Sequence, residues 1–128
     1  MAASLGHGLP VLADAVQRQA KEVSFLNTIK FVHPIVDQYC NKLSKVLPDS
    51  INRIFFTVSG AESTEAAIKV ARQVTGRPKV LYRDLSYHGA SYGALSVSGD
   101  ARQKTIEGYS VPYAVPIPHS AGFADPDE

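Results

Sequence analysis

Asn52 to Gly89 reads NRIFFTVSGAESTEAAIKVARQVTGRPKVLYRDLSYHG, and the fold is decided there. Arg53 to Val58 is a run of aromatic and β-branched residues, the composition of a strand on a pleated, half-buried surface. Ser59-Gly60-Ala61-Glu62 follows, and from Ser63 the apolar residues Ala66, Ala67, Val70, Ala71 and Val74 recur at helical spacing as far as Gly76. A strand therefore turns through a glycine into a helix. The first N–H groups of such a helix lack intrahelical partners and the helix dipole adds partial positive charge, so the turn is a natural seat for a phosphate. Ser59 with Glu62 three residues on equally fits a capping box, in which side chains satisfy those N–H groups. Spacing leaves both readings open.

Downstream, Lys79 to Arg83 has the composition of a second strand, and strand, helix, strand at this spacing defines an α/β layer. Tyr87-His88-Gly89 ends the loop after that strand, where α/β proteins commonly place ligands. Ser91 to Ser98 reads as a short helix stopped by Gly99. Beyond Gly108 periodicity fails among Pro112, Pro116, Pro118 and Pro126; this tail reads as loop or as one short strand, Tyr113 to Val115, and Asp125-Pro126-Asp127-Glu128 closes it with no completed element.

Upstream, Met1 to Gly8 reads as loop, and Pro10 suits a first helical position, where its missing N–H costs nothing. Leu12, Ala15, Val16 and Gln19 continue at helical spacing, with Asp14 early and Arg18 and Lys21 late, as the dipole favours; a helix from Pro10 to Glu22 is expected. Ser24 to Val32 is irregular or briefly extended. From Pro34, Ile35, Val36, Tyr39, Cys40, Leu43, Val46 and Leu47 form an apolar stripe that Pro48 ends. Cys40 within that stripe reads as a small buried hydrophobe. The expected organisation is a helical part over 1–50, an α/β part over 51–111 and a Pro-rich tail over 112–128.

The 128 residues suffice for one modest domain, and an apolar share of 45% is that of a globular chain. A net charge of +1, from 13 dispersed basic and 12 acidic residues, gives no electrostatic case for nucleic acid or a membrane surface. With Cys40 as the single cysteine, an intramolecular disulfide and a cysteine-rich metal site are excluded, which fits a reducing compartment; the expected location is the cytoplasm, or the mitochondrion. No apolar run reaches membrane-spanning length, and the N-terminus lacks the pattern of a secretory signal.

SGAESTEAAIKVAR, TGRPKV and SYHGASYGALSVSGD, preceded by SLGHGLPVLADAV from Ser4 to Val16, resemble in order and separation the cofactor-binding segments of class III aminotransferases, pyridoxal-phosphate enzymes of fold type I. The resemblance implies part of the fold type I large domain preceded by two helices. It further implies a dimeric parent that moves an amino group from an amine or ω-amino acid to a keto acid such as pyruvate. Pyridoxal phosphate asks for a phosphate seat, packing for a flat ring and control of the ring's electronics. For the seat, the resemblance points to the N–H groups of Gly60 and Ala61, with Ser59 beside them. Many relatives carry Ser or Thr where this chain has Ala61, which removes one hydroxyl donor; Ser59 and Thr64 are the nearby hydroxyls. Tyr87 matches the aromatic that lies against the pyridine, a stack worth very roughly 1 kcal/mol beyond burial, and His88 the histidine shaping the ring's pocket. His7 matches the LGH histidine and carries no assigned chemistry, while Glu62 and Glu65 read as cap and dipole partners of their own helix.

The third requirement is a lysine forming the Schiff base and an aspartate pairing the pyridine nitrogen. In the family both lie well downstream of the YHG segment. The lysines here, Lys21, Lys30, Lys42, Lys45, Lys69, Lys79 and Lys104, match no such position. The expectation is an interior segment of a family member that does not transaminate alone and assigns no catalytic residue. Its rivals are a non-catalytic phosphate-ligand binder and, within the family, an aminomutase or decarboxylase. A sheet cut short is also expected to leave a strand edge and apolar helix faces uncovered.

Overall fold

The computed structural model describes residues 3–27 and 29–118, and the chain falls into two compact units, residues 1–54 and 55–128. The first unit contains α1, Pro10–Glu22, and α2, Pro34–Leu43, each opened by a proline at its first turn, as the sequence leads one to expect. Residues 24–27 and 29–33 have no regular element. The second helix ends before Val46 and Leu47, although Leu47 N–H still reaches Leu43 O at 3.1 Å, so the winding tightens and then stops ahead of Pro48. No residue of α2 is buried, and Cys40, expected inside a core, is only half-buried: an apolar stripe buries what it carries only where another element covers it.

The second unit contains α3, Gly60–Thr75; β1, Val80–Arg83; α4, Tyr92–Ser96; a 3₁₀ helix, Gln103–Tyr109; and β2, Ala114–Ile117. The strands pair in parallel with Val80 opposite Ala114 and Arg83 opposite Ile117. Arg72 on α3 fixes their entry by donating from Nε to Pro78 O at 2.9 Å and from Nη2 to Pro112 O at 3.0 Å. Gly76 ends α3 with φ +66°, a left-handed value glycine adopts without strain, and returns its N–H to Arg72 O at 2.9 Å. In the Pro-rich tail β2 lies one to two residues beyond the span Tyr113 to Val115, and Asp125 to Glu128 fall outside the described residues.

The expectation of a strand at Arg53 to Val58 needs correction. The segment is extended, but the sheet among the described residues has two strands, β1 and β2, and this segment is in neither. Strand propensity measures fit to a pleated, half-buried surface, and without a partner ladder there is none. Phe55 stays 78% and Val58 97% exposed. The layer thus consists of α3 on a β1–β2 pair, with α4 beside it. Ala94, Ser96, Val97 and Ser98 form the buried centre of the unit. Faces of α3, β1 and β2 are uncovered: α3 buries no residue and Leu81 remains 61% exposed.

Candidate functional site

The first turn of α3 carries the site. Ser59, extended at φ −155°, accepts from Glu62 N–H through Oγ at 3.2 Å, and the Glu62 carboxylate accepts from Val58 N–H at 2.9 Å. The cap therefore forms, with Glu62 reaching one residue further back than a capping box requires. Capping and anion binding do not compete for the same donors. The cap uses Glu62 N–H, whereas the N–H groups of Gly60 and Ala61, at the first two helical positions, have no partner among the described residues. They face the positive end of a 16-residue helix.

A hollow of about 570 Å³ opens at this turn, lined by Ser59, Gly60, Ala61 and Thr64 on one side and by Tyr87, His88, Gly89 and Ala90 on the other. Two contacts hold the sides together. Thr64 Oγ1 lies 3.0 Å from both Gly60 O and His88 O, so its single proton is engaged by carbonyls. Gly89, buried at φ +135°, packs so closely on Ala61 that a Cβ there would stand 2.5 Å from Ala61 Cβ. Small residues at both positions are what let the aromatic loop lie on the helix turn. Of the two hydroxyls at this turn, Thr64 is thus committed to carbonyls, while Ser59 Oγ accepts one bond and its proton has no acceptor among the described residues.

The loop from Tyr87 is pinned further along. His88 N–H donates to Ser98 Oγ at 3.0 Å, and Ser98, fully buried, donates to Ala94 O at 2.9 Å. Glu65, expected as a partner of its own helix, instead caps α4: its Oε1 accepts from Ser91 Oγ at 2.6 Å, Gly93 N–H at 2.8 Å and Ala94 N–H at 3.0 Å. The Ser91 hydroxyl, then the amides of Ala94 and Gly93 and the charge of Lys69, hold the Glu65 carboxyl below its ordinary value against the opposing effect of partial burial. Gly93 has no room for a side chain, since the Glu65 carboxylate occupies that space.

Tyr87 is half exposed, and the Arg102 guanidinium stands over its ring with Cζ 4.0 Å from the centroid. Arg102 in turn donates from Nε to Asp100 Oδ2 at 2.7 Å. The hydrogen bond from Arg102 lowers the Asp100 carboxyl, and Asp100 raises the Arg102 guanidinium.

The five residues singled out in the sequence, Ser59, Gly60, Ala61, Tyr87 and His88, all line one hollow. None of the seven lysines lines it. A second hollow of about 490 Å³ runs along another face of α3, past Phe55, Ala66, Ala67 and Val70; Lys69 is its one charged group, and its walls are those of an uncovered apolar face. Sequence reasoning missed Glu65 as a cap for α4 and Arg102 beside Tyr87, because both partners are distant in the chain. The one signal available was Ser91 ahead of a short helix, an N-cap residue whose helix turns out to be capped by a foreign carboxylate.

The fold is that of a piece of a fold type I transaminase. Residues 1–126 match the family model of the class III aminotransferases, and the chain belongs to that family. It is 31% identical over 124 residues to an omega-aminotransferase of Caulobacter vibrioides, covering 92% of this chain and 28% of that protein. Against an acetylornithine aminotransferase of Methanosarcina acetivorans it is 32% identical over 120 residues, covering 94% and 28%. Among solved structures, the taurine:2-oxoglutarate aminotransferase from Bifidobacterium kashiwanohense, in complex with PLP and glutamate, superposes with a TM-score of 0.81 at 40% identity over 90% of this chain and 26% of that one. The chain thus spans between a quarter and a third of the length of these relatives.

Proposed function

We propose that this chain supplies the phosphate seat and ring platform of a pyridoxal-phosphate-dependent class III aminotransferase. Family membership implies the cofactor, and the donor set fits it. Two free N–H groups at a helix N-terminus and the Ser59 hydroxyl suit a dianionic phosphate. Tyr87 offers an aromatic face across the same hollow, and His88 and Gly89 shape the wall beside it. The observation that carries the reading is the pairing of the unpartnered Gly60 and Ala61 amides with the Tyr87 ring around one hollow.

When bound, the cofactor acts as an electron sink for carbanion chemistry. This chain's residues bind and orient. The α3 turn neutralises phosphate charge, Tyr87 fixes the ring plane, and the carbonyl-committed Thr64 keeps the Tyr87 loop at its distance from the turn. The reaction of the whole protein is amino transfer from a small amine or ω-amino acid to a keto acid such as pyruvate, in a homodimer. Since no lysine lines the hollow, the chain by itself holds its ligand without a covalent bond and does not transaminate. A phosphate-ligand binder without catalysis is the second reading that this lining favours.

The test is titration of the chain with pyridoxamine 5′-phosphate, followed by its fluorescence, with inorganic phosphate as competitor. Saturable binding that phosphate reverses supports the reading. Binding that phosphate leaves untouched, or no binding, sinks it. Borohydride treatment in the presence of pyridoxal phosphate is expected to leave no single lysine modified, and a specific adduct would overturn the non-covalent part.

A further inference from the structure

Arg102 lies over the Tyr87 ring at 4.0 Å but is not among the residues that line the hollow, which the ring itself borders. The guanidinium thus stands over one face of an aromatic that borders the hollow, without itself lining it. We propose that Arg102 is a positioning residue: it braces the Tyr87 ring from behind and presets the hollow-facing side for a flat, phosphorylated heteroaromatic ligand. The inference rests on the functional reading above and adds to it the residue that orients the platform.

The brace is itself held. Arg102 Nε donates to Asp100 Oδ2 at 2.7 Å with an ion pair to the same oxygen, and Arg102 N–H donates to Asp100 Oδ1 at 2.9 Å. The strap carrying both residues is locked to the start of the Tyr87 loop: Leu85 N–H reaches Gly99 O at 3.0 Å and Gly99 N–H reaches Ser86 O at 2.8 Å. Gly99 permits this closeness, because a Cβ there would run into Arg83 O and the Asp84 backbone. One residue after that reciprocal pair comes Tyr87 on one side and Asp100 on the other, with Arg102 two residues further on. A planar cation over an aromatic face is attracted by the ring's quadrupole, and a ring with a fixed plane loses less freedom when a ligand stacks on it.

The experiment compares the 128-residue chain with Arg102→Met, which keeps a stem without the cation, and Arg102→Lys, which restores a cation. Probes are pyridoxamine 5′-phosphate, which carries ring and phosphate, and inorganic phosphate alone. Arg102→Met is expected to weaken pyridoxamine phosphate about two- to fivefold and to diminish the circular dichroism induced in the probe's absorption band. Lysine should recover part of both, and phosphate affinity should stay unchanged throughout. Equal or tighter probe binding by Arg102→Met overturns the proposal, since the guanidinium is then idle or occupies the ligand's side. A parallel loss for phosphate alone also overturns it, because the effect is then long-range charge. A ligand-free arm reads the pair directly by NMR: the Arg102 Nε–H proton is expected upfield through the ring current and to relax in Tyr87→Leu. An unshifted proton overturns the brace. If the parent chain binds no probe while that shift persists, it is the functional reading that has failed, and the positioning role falls with it.

Discussion

The Glu65 carboxylate of α3 accepts the Ser91 hydroxyl at 2.6 Å, and with the amides of Gly93 and Ala94 on the same oxygen it closes the open start of a helix 26 residues away. Three donors converge on one charged acceptor. Glu65→Ala strands all three, so a loss of about 1–3 kcal/mol is expected from hydrogen bonds to a charged group. Glu65→Gln, which retains one acceptor oxygen, should lose less. Urea midpoints at constant slope measure both; equal stability of Glu65→Ala and the parent would show the cap to be idle.

The same carboxylate makes stability depend on pH. Its folded-state value lies below the unfolded one, so its contribution is present above the ordinary glutamate value of about 4.3 and is lost as pH falls through the lower folded value. Thermal melts between neutral pH and pH 3 should show a decline in the acid range that is shallower in Glu65→Gln. Asp100, lowered chiefly by its hydrogen bond from Arg102, works in the same direction, so the decline should shrink again when Asp100→Asn is added.

Gly89 is held glycine by both its backbone angle and its neighbours. Alanine there combines a φ of +135° with a Cβ 2.5 Å from Ala61 Cβ. Strain of this kind costs on the order of 1–3 kcal/mol, and relief requires the Tyr87 loop to lift off the α3 turn. Ala61→Gly in the Gly89→Ala background removes the nearest contact but leaves Ala61 Cα 2.7 Å from the added Cβ and the φ strain in place, so it should restore only a minor part of the lost stability. A full rescue would mean that the backbone angle carries no cost.

Gly60→Pro separates fold from ligand. Proline suits the first helical position, and Ser59 before it is already extended, so α3 should persist. The substitution deletes the Gly60 N–H. With charged hydrogen bonds worth about 1.5–3 kcal/mol, affinity for inorganic phosphate should drop about ten- to a hundredfold while far-ultraviolet circular dichroism is unchanged. Unaltered affinity in a folded variant would place the anion elsewhere.

Features governed by near neighbours could be read from the residues. Pro10 and Pro34 mark helix starts because a missing N–H is harmless there, and Gly76 marks an end because it alone takes φ +66° without strain. Ser59 and Glu62 signalled a cap, which forms, and it leaves the amides of Gly60 and Ala61 without a partner among the described residues, so the proposed phosphate seat calls on different donors. Arg53 to Val58 misled for the opposite reason. Its residues favour a strand, but a strand exists only where a second chain segment completes the ladder, and the partner of β1 is β2, 34 residues on.

The residues alone determined the starts of α1 and α2, the end of α3 and the exposed amides of its first turn, because each depends on backbone preferences within a few positions; Tyr87 was tied to that turn only by the family resemblance. Tertiary structure decided which strands pair, that Glu65 caps α4, and that Arg102 stands over the Tyr87 ring. Those are contacts between segments 15 or more residues apart, set by close approaches at Gly89, Gly93 and Gly99 that no local pattern announces.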